Sequence, residues 1–135
     1  MNQSDYENYL KLFNARDYDG VIEHWADEFE LVFSGYVFRK PEEIRKLYAF
    51  LHAHVEEKVT LKKFVSNDTM VALEADVRIE AFKDMTLDAL KENGLERLGE
   101  LKKGQFIIMP QFIHYHLKDG KIVKGMCAIY EPPHE

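Results

Sequence analysis

Hydrophobic and polar positions follow two different periods along this chain, and the change falls near Lys58. Upstream the period is helical. Ser4-Asp5-Tyr6-Glu7 has the form of a capping box. Tyr6, Tyr9 or Leu10, and Phe13 then recur at helical spacing, predicting an amphipathic helix to about Ala15. Asp17-Tyr18-Asp19-Gly20 breaks it, and Val21, Ile22 and Trp25 mark a second, shorter helix closing near Ala26-Asp27. Phe29, Leu31 and Phe33 alternate with Glu30, Val32 and Ser34, a first strand stopped by Gly35. Pro41 suits the first position of a third helix, with Glu42 and Glu43 at its positive end. Ile44, Leu47, Tyr48, Leu51 and Val55 give that helix one apolar stripe.

Downstream the period is two. Val59, Leu61 and Phe64 form a second strand, and Ser66-Asn67-Asp68-Thr69 a turn. Met70 to Phe82 alternates most cleanly: Val71, Leu73, Ala75, Val77 and Ile79 on one face, Glu74, Asp76, Arg78 and Glu80 on the other. Lys83 to Gly104 departs from both periods, with leucines among charges and glycines at 94 and 99. It reads either as short inserted helices forming a lid or as a loosely packed connection. Gln105 to Glu131 then holds two long apolar-rich runs joined by Lys118-Asp119-Gly120-Lys121, a hairpin signal. The elements describe one α+β domain over 1–135: three helices and a curved, mostly antiparallel sheet wrapped around them, with a short helical insertion before the last two strands.

Composition narrows the function. The 135 residues are 46% hydrophobic and 31% charged, ordinary for a globular protein. A net charge of −6, with basic residues scattered, argues against a nucleic-acid partner. Cys127 is the only cysteine, which excludes an intrachain disulfide and a cysteine-rich zinc site. The polar, acidic start lacks the form of a signal peptide, and no apolar run approaches a membrane span, so a cytoplasmic location without a membrane partner is expected.

The order of elements, the turn Arg16-Asp17-Tyr18-Asp19 and the run His24-Trp25-Ala26-Asp27-Glu28 carry a resemblance. So do Gly35 followed by Lys40-Pro41-Glu42-Glu43-Ile44, and the phrase His114-Tyr115-His116-Leu117-Lys118-Asp119-Gly120-Lys121-Ile122. Together they resemble the nuclear transport factor 2-like superfamily, most closely its SnoaL-like branch, over nearly the whole chain. The resemblance implies a cone with a deep, mostly apolar pocket, and a homodimer through the outer sheet face. Members include ketosteroid isomerases, polyketide cyclases, limonene-epoxide-type hydrolases, scytalone-type dehydratases, and domains that only bind or assemble, so the fold does not settle the function.

The acid/base sets of those branches do not carry over. The isomerase general-base position falls on Phe33 and its oxyanion-hole acid near Ile113. The epoxide-hydrolase aspartate falls on Cys127, and its Arg-x-Asp pair near Ala75 and Val77. Hairpin register decides which other polar groups face the pocket. A three-residue loop with a bulge at Gly120 puts Gln111, Ile113 and Tyr115 with Gly125 and Cys127; a two-residue Asp119-Gly120 loop puts His114 and His116 there instead. The resemblance favours the first.

The candidate catalytic set is Tyr115 as hydrogen-bond donor with His52 or His114 as base. Tyr9, Trp25, Phe33, Tyr36, Gln111, Ile113, Cys127 and Ile129 are candidate ligand-binding residues. His114-x-His116 projects two imidazoles one way, but no third ligand stands at a recognisable spacing, so no metal and no cofactor are expected. Cys127, with no base or helix end near it in sequence, reads as an inert thiol. The expected function is an isomerase, cyclase or dehydratase acting on an apolar ring or polyketide-like molecule by proton transfer. The alternative is a non-catalytic ligand-binding or dimeric assembly domain of the same fold.

Overall fold

Helix formation begins two residues earlier than Ser4-Asp5-Tyr6-Glu7 implies. In the computed structural model, which describes residues 1–135, α1 spans Gln3–Asn14 and Asn2 is its N-cap. The Asn2 side chain accepts from the Asp5 N–H at 2.8 Å, and the Asn2 N–H donates to the Asp5 carboxylate at 2.9 Å. The capping box is therefore Asn2/Asp5, with an N-cap residue as effective as Ser. Asn2→Ala is expected to cost about 1 kcal/mol, read as a melting temperature lower by a few degrees.

The second helix, α2, is Tyr18–Ile22, and Trp25 opens strand β1 (Trp25–Phe33) instead of ending the helix. The reason is tertiary: Trp25 pairs with Ile122 in a parallel ladder that the local pattern cannot show. A short strand β2 (Tyr36–Phe38), absent from the periodicity, turns back along β1 through Ser34 and Gly35, both at positive φ. Helix α3 is Pro41–His52, and Val55 belongs to β3 (Val55–Ser66) rather than to the helical stripe. Then come β4 (Met70–Ala81), α4 (Leu87–Glu92), a 3-10 turn at Glu96–Leu98, β5 (Phe106–Lys118) and β6 (Lys121–Ile129).

The six strands form one curved, open sheet in the order β2-β1-β6-β5-β4-β3, antiparallel everywhere except between β1 and β6. The helices pack on one face, where Tyr6, Phe13, Ile44, Val71, Leu73, Ile113 and Ile122 belong to the main core. Burial of this kind contributes roughly 25 cal/mol per Å² of apolar surface. Two bulges tune the strands. Lys62 is extra in β3, which lets Leu61 and Phe64 both face inward despite their three-residue spacing.

The second bulge decides the hairpin. Its loop is the two-residue Asp119-Gly120, both at positive φ as a type I′ turn requires. Val123 is then extra between Leu117↔Ile122 and His116↔Lys124. The shift puts Gln111, Ile113 and Tyr115 on the face of Gly125 and Cys127. The facing expected from a three-residue loop thus arises from a shorter loop and a bulge further along the strand.

The Lys83–Gly104 segment is not loosely packed. Met85, Leu90 and Leu95 are buried with Leu47, Val55 and Ala81 in a second core, and Met85 bridges to Leu101. It forms a wall beside α3. At the outer edge of the sheet, the Asn14 amide donates to the Val59 carbonyl and accepts from the Val59 N–H, while Arg16 donates to the Glu57 carbonyl. No helix is long and apolar enough to cross a membrane.

Candidate functional site

Between the helices and the sheet lies a cavity of about 450 Å³, within the size range of small-molecule sites. Its inner end is built from aromatic side chains of α1, β1 and β5. Tyr6, Tyr9 and Tyr115 form a triangle with ring centroids 5.9, 6.1 and 6.2 Å apart, and the Trp25 indole N–H donates to the Tyr9 hydroxyl at 3.2 Å. Gly125 sits under Trp25 and Tyr115 because nothing larger fits: a Cβ there would lie 2.8 Å from the indole. At the other end the lining residues Arg97, Ala128, Ile129 and Pro133 are exposed and mark the mouth.

Tyrosine, indole and thiol groups aside, the polar lining is limited to Ser34, Glu57, Arg97 and Gln111. Glu57 is the only carboxylate. It stands on β3 between Val55 and Val59, and the strand period turns it inward with them. Its Oε1 lies 2.8 Å from His52 Nε2, and the two side chains are only 14% and 5% exposed. The other ring nitrogen, Nδ1, is bonded to the Tyr18 hydroxyl. With imidazole neutral, Tyr18 O–H donates to Nδ1 and Nε2–H donates to the Glu57 carboxylate, so each group has the partner it needs. The His52 ring also lies nearly parallel to Tyr48, 5.3 Å away by centroids. His52 thus stands behind the cavity wall, in contact with Glu57.

The tyrosines are donors here. Burial pushes the Tyr115 hydroxyl well above the ordinary phenol value, and neighbouring hydroxyls add to it. Burial likewise raises Tyr48, with the Glu57 charge next in effect, and raises Tyr9 to about 12. They stay protonated at neutral pH and can hydrogen-bond a ligand oxygen. Burial, reinforced by the Glu57 charge, also pushes the Cys127 thiol up to about 12. Its reactive thiolate is scarce below that pH, so a thiol reagent is expected to leave Cys127 unmodified at pH 8 in the native protein and to label it on unfolding. Rapid native labelling would contradict this.

The residues singled out in the sequence separate cleanly. Tyr9, Trp25, Phe33, Gln111, Ile113, Tyr115, Cys127 and Ile129 line the cavity. Tyr36 does not; it packs against Phe33 and lies beneath the Arg97 guanidinium beside the mouth. His114 also does not line it. The Val123 bulge leaves it on the opposite face, opposite Ala72 and Met126, where it cannot reach a molecule in the cavity. No group of side chains is arranged to hold a metal ion. Glu57 and Tyr48 went unrecognised as polar cavity groups. The period-two run Val55-Glu57-Val59 was the signal for Glu57, obscured by assigning Val55 to the preceding helix.

The cavity on one face of a six-stranded sheet defines the class. A SnoaL-like domain model matches residues 6–125, and the chain belongs to that family. No curated protein matches the chain. Among solved structures, a nuclear transport factor 2-like protein of unknown function from Burkholderia pseudomallei superposes with a TM-score of 0.71 at 12% identity, over 96% of this chain and 92% of that one. A putative polyketide cyclase from Silicibacter gives 0.68 at 21%, over 89% and 82%. A Mycobacterium tuberculosis protein solved with estradiol-17beta-hemisuccinate gives 0.66 at 14%, over 94% and 90%. At these identities the likeness is one of fold.

Proposed function

We propose that the protein binds an apolar, ring-bearing small molecule in this cavity and moves a proton on it, as an isomerase, cyclase or dehydratase does. One observation carries the reading: the single carboxylate in an apolar cavity, Glu57, is held by a buried histidine. The Glu57 carboxylate takes a proton from a carbon next to a carbonyl. The C–H electron pair becomes the enolate double bond, and the carbonyl π pair moves to oxygen. A tyrosine hydroxyl, Tyr115 or a neighbour, donates to that oxygen. The carboxylic acid then returns the proton to the same or a conjugated carbon. His52 is a positioning residue that fixes the carboxylate through Nε2–H. The structure solved with estradiol-17beta-hemisuccinate and the putative polyketide cyclase, both of the same fold, support the ligand class.

The test is hydrogen exchange into β-tetralone, a bicyclic ketone with acidic α-protons, followed by NMR in D2O. Exchange above background that saturates with ketone is expected. Binding without exchange would leave the second reading, a ligand-carrying domain, which the otherwise apolar lining favours.

The reading includes a homodimer. The uncovered sheet face carries Val65, 67% exposed and in line with Ala72, His114 and Met126, and Phe112, 43% exposed and two residues along β5 from His114. Sedimentation showing a monomer at micromolar concentration would remove that part. A cytoplasmic location without nucleic-acid or membrane partners belongs to the same proposal.

A further inference from the structure

Arg97 is the only cation lining the cavity, and it stands at the mouth. It forms no ion pair: the four Lys/Arg–carboxylate pairs and the His52–Glu57 contact involve other residues. It is nonetheless held. Its guanidinium donates to the Gly35 carbonyl at 3.2 Å and lies 5.6 Å from the Tyr36 ring centre, while its backbone N–H donates to the Tyr36 hydroxyl at 2.9 Å. Gly35 is part of the seat, since a Cβ there would lie 2.3 Å from Arg97 Nη1. Ser34, on the same turn, adds a hydroxyl to the lining. A guanidinium anchored through one N–H and one aromatic face keeps its remaining donors for an oxyanion.

We infer that the molecule taken by this cavity carries an anionic group, a carboxylate or sulfonate, which docks on Arg97 beside Ser34 while its apolar body fills the interior. The inference rests on the ligand-binding reading above and adds the charge and direction of the ligand. The two charged residues of the lining work together. Glu57 repels an anion and Arg97 attracts it, so a ligand with one anionic end enters in one orientation, with its neutral, proton-bearing part toward the carboxylate. Surface arginines often serve only to pin a loop, and the experiment separates that role from anion binding.

The probes are a matched pair that share an anilinonaphthalene body: 1-anilinonaphthalene-8-sulfonate, which is anionic, and N-phenyl-1-naphthylamine, which is neutral. Fluorescence titration of the wild-type protein is expected to show the anionic probe binding at least about fivefold more tightly. The preference should shrink as salt is raised. Arg97→Gln should remove it by weakening the anionic probe far more than the neutral one, while Arg97→Lys should retain part of it. Because Arg97→Gln also removes the bond to the Gly35 carbonyl, its melting curve is recorded alongside. Glu96→Gln, a neighbour outside the lining, is the matched surface control. Equal affinity for both probes, or a preference surviving in Arg97→Gln, would overturn the anion site while leaving the pocket intact. Binding of neither probe would overturn both.

Discussion

Glu57→Gln is expected to lower proton exchange into a bound ring ketone by at least about 100-fold, the usual size of a general-base contribution, with little change in ketone affinity. The two effects separate because glutamine matches the carboxylate in shape and still offers an oxygen to His52 Nε2–H. The cavity therefore keeps its volume and lining, and only the proton acceptor is lost. His52→Gln is expected to do less. It leaves the carboxylate in place but frees it to turn toward the polar cleft that it shares with Asn14 and Arg16. The assay is the same deuterium exchange, run at saturating ketone so that binding and chemistry are read apart. Exchange in Glu57→Gln equal to wild type would exclude Glu57 as the base and, since the lining holds no other carboxylate, overturn the proton-transfer reading.

The largest expected stability effect is at Leu47. Its side chain, 2% exposed, joins α3 to β3 and to the inserted segment through Val55, Ala81, Met85, Leu90 and Leu95. Leu47→Ala removes the centre of that small core and leaves a cavity that the surrounding rigid elements fill poorly, costing about 2–5 kcal/mol. For a chain of this size that is a fall in melting temperature on the order of ten degrees. The functional consequence follows from position. Leu47 lies on the helix that presents His52, and β3 presents Glu57. A loosened α3 would separate the pair before the whole domain melts, so proton exchange should fall at temperatures where the main sheet persists. A melting curve equal to wild type would show that the insertion does not depend on this core.

Much of the fold was legible because hydrophobic period reports burial directly. Val71 to Ile79 face the core as their alternation implied, and Ile44, Leu47 and Tyr48 face it from α3. What local period could not report was decided by distant partners. Trp25 is a strand residue because Ile122 lies beside it, and β2 is too short for any period to register. The stripe Leu51-Val55 continued across the end of α3 because an i+4 step is apolar at both its members, although Ala53 and His54 turn the chain between them. The candidate site shows the same limit. Tyr115, Gln111 and Cys127 were found once the hairpin face was chosen, but the bulge at Val123 that chooses it leaves no mark in composition. Glu57 was passed over because a charged residue in an alternating strand is ordinarily solvated. The histidine that holds it, His52, is itself bonded to Tyr18, 34 positions away and beyond the reach of any window.

The side chains of Asn14 and Arg16 carry a consequence for how the molecule meets other chains. β3 is the long outer strand of the sheet, and an unpaired strand edge is a template onto which a foreign strand can zip. Here the slots at the Glu57 carbonyl and at both Val59 backbone groups are already filled by an arginine and an amide from the end of α1. The opposite margin, β2, offers only three residues, too few to seed a ladder. The two margins thus resist strand addition by different means, one plugged around Glu57 and Val59 and one cut short. The strand that carries Glu57 is guarded on its outer side against the amyloid-like pairing that would pull it out of line.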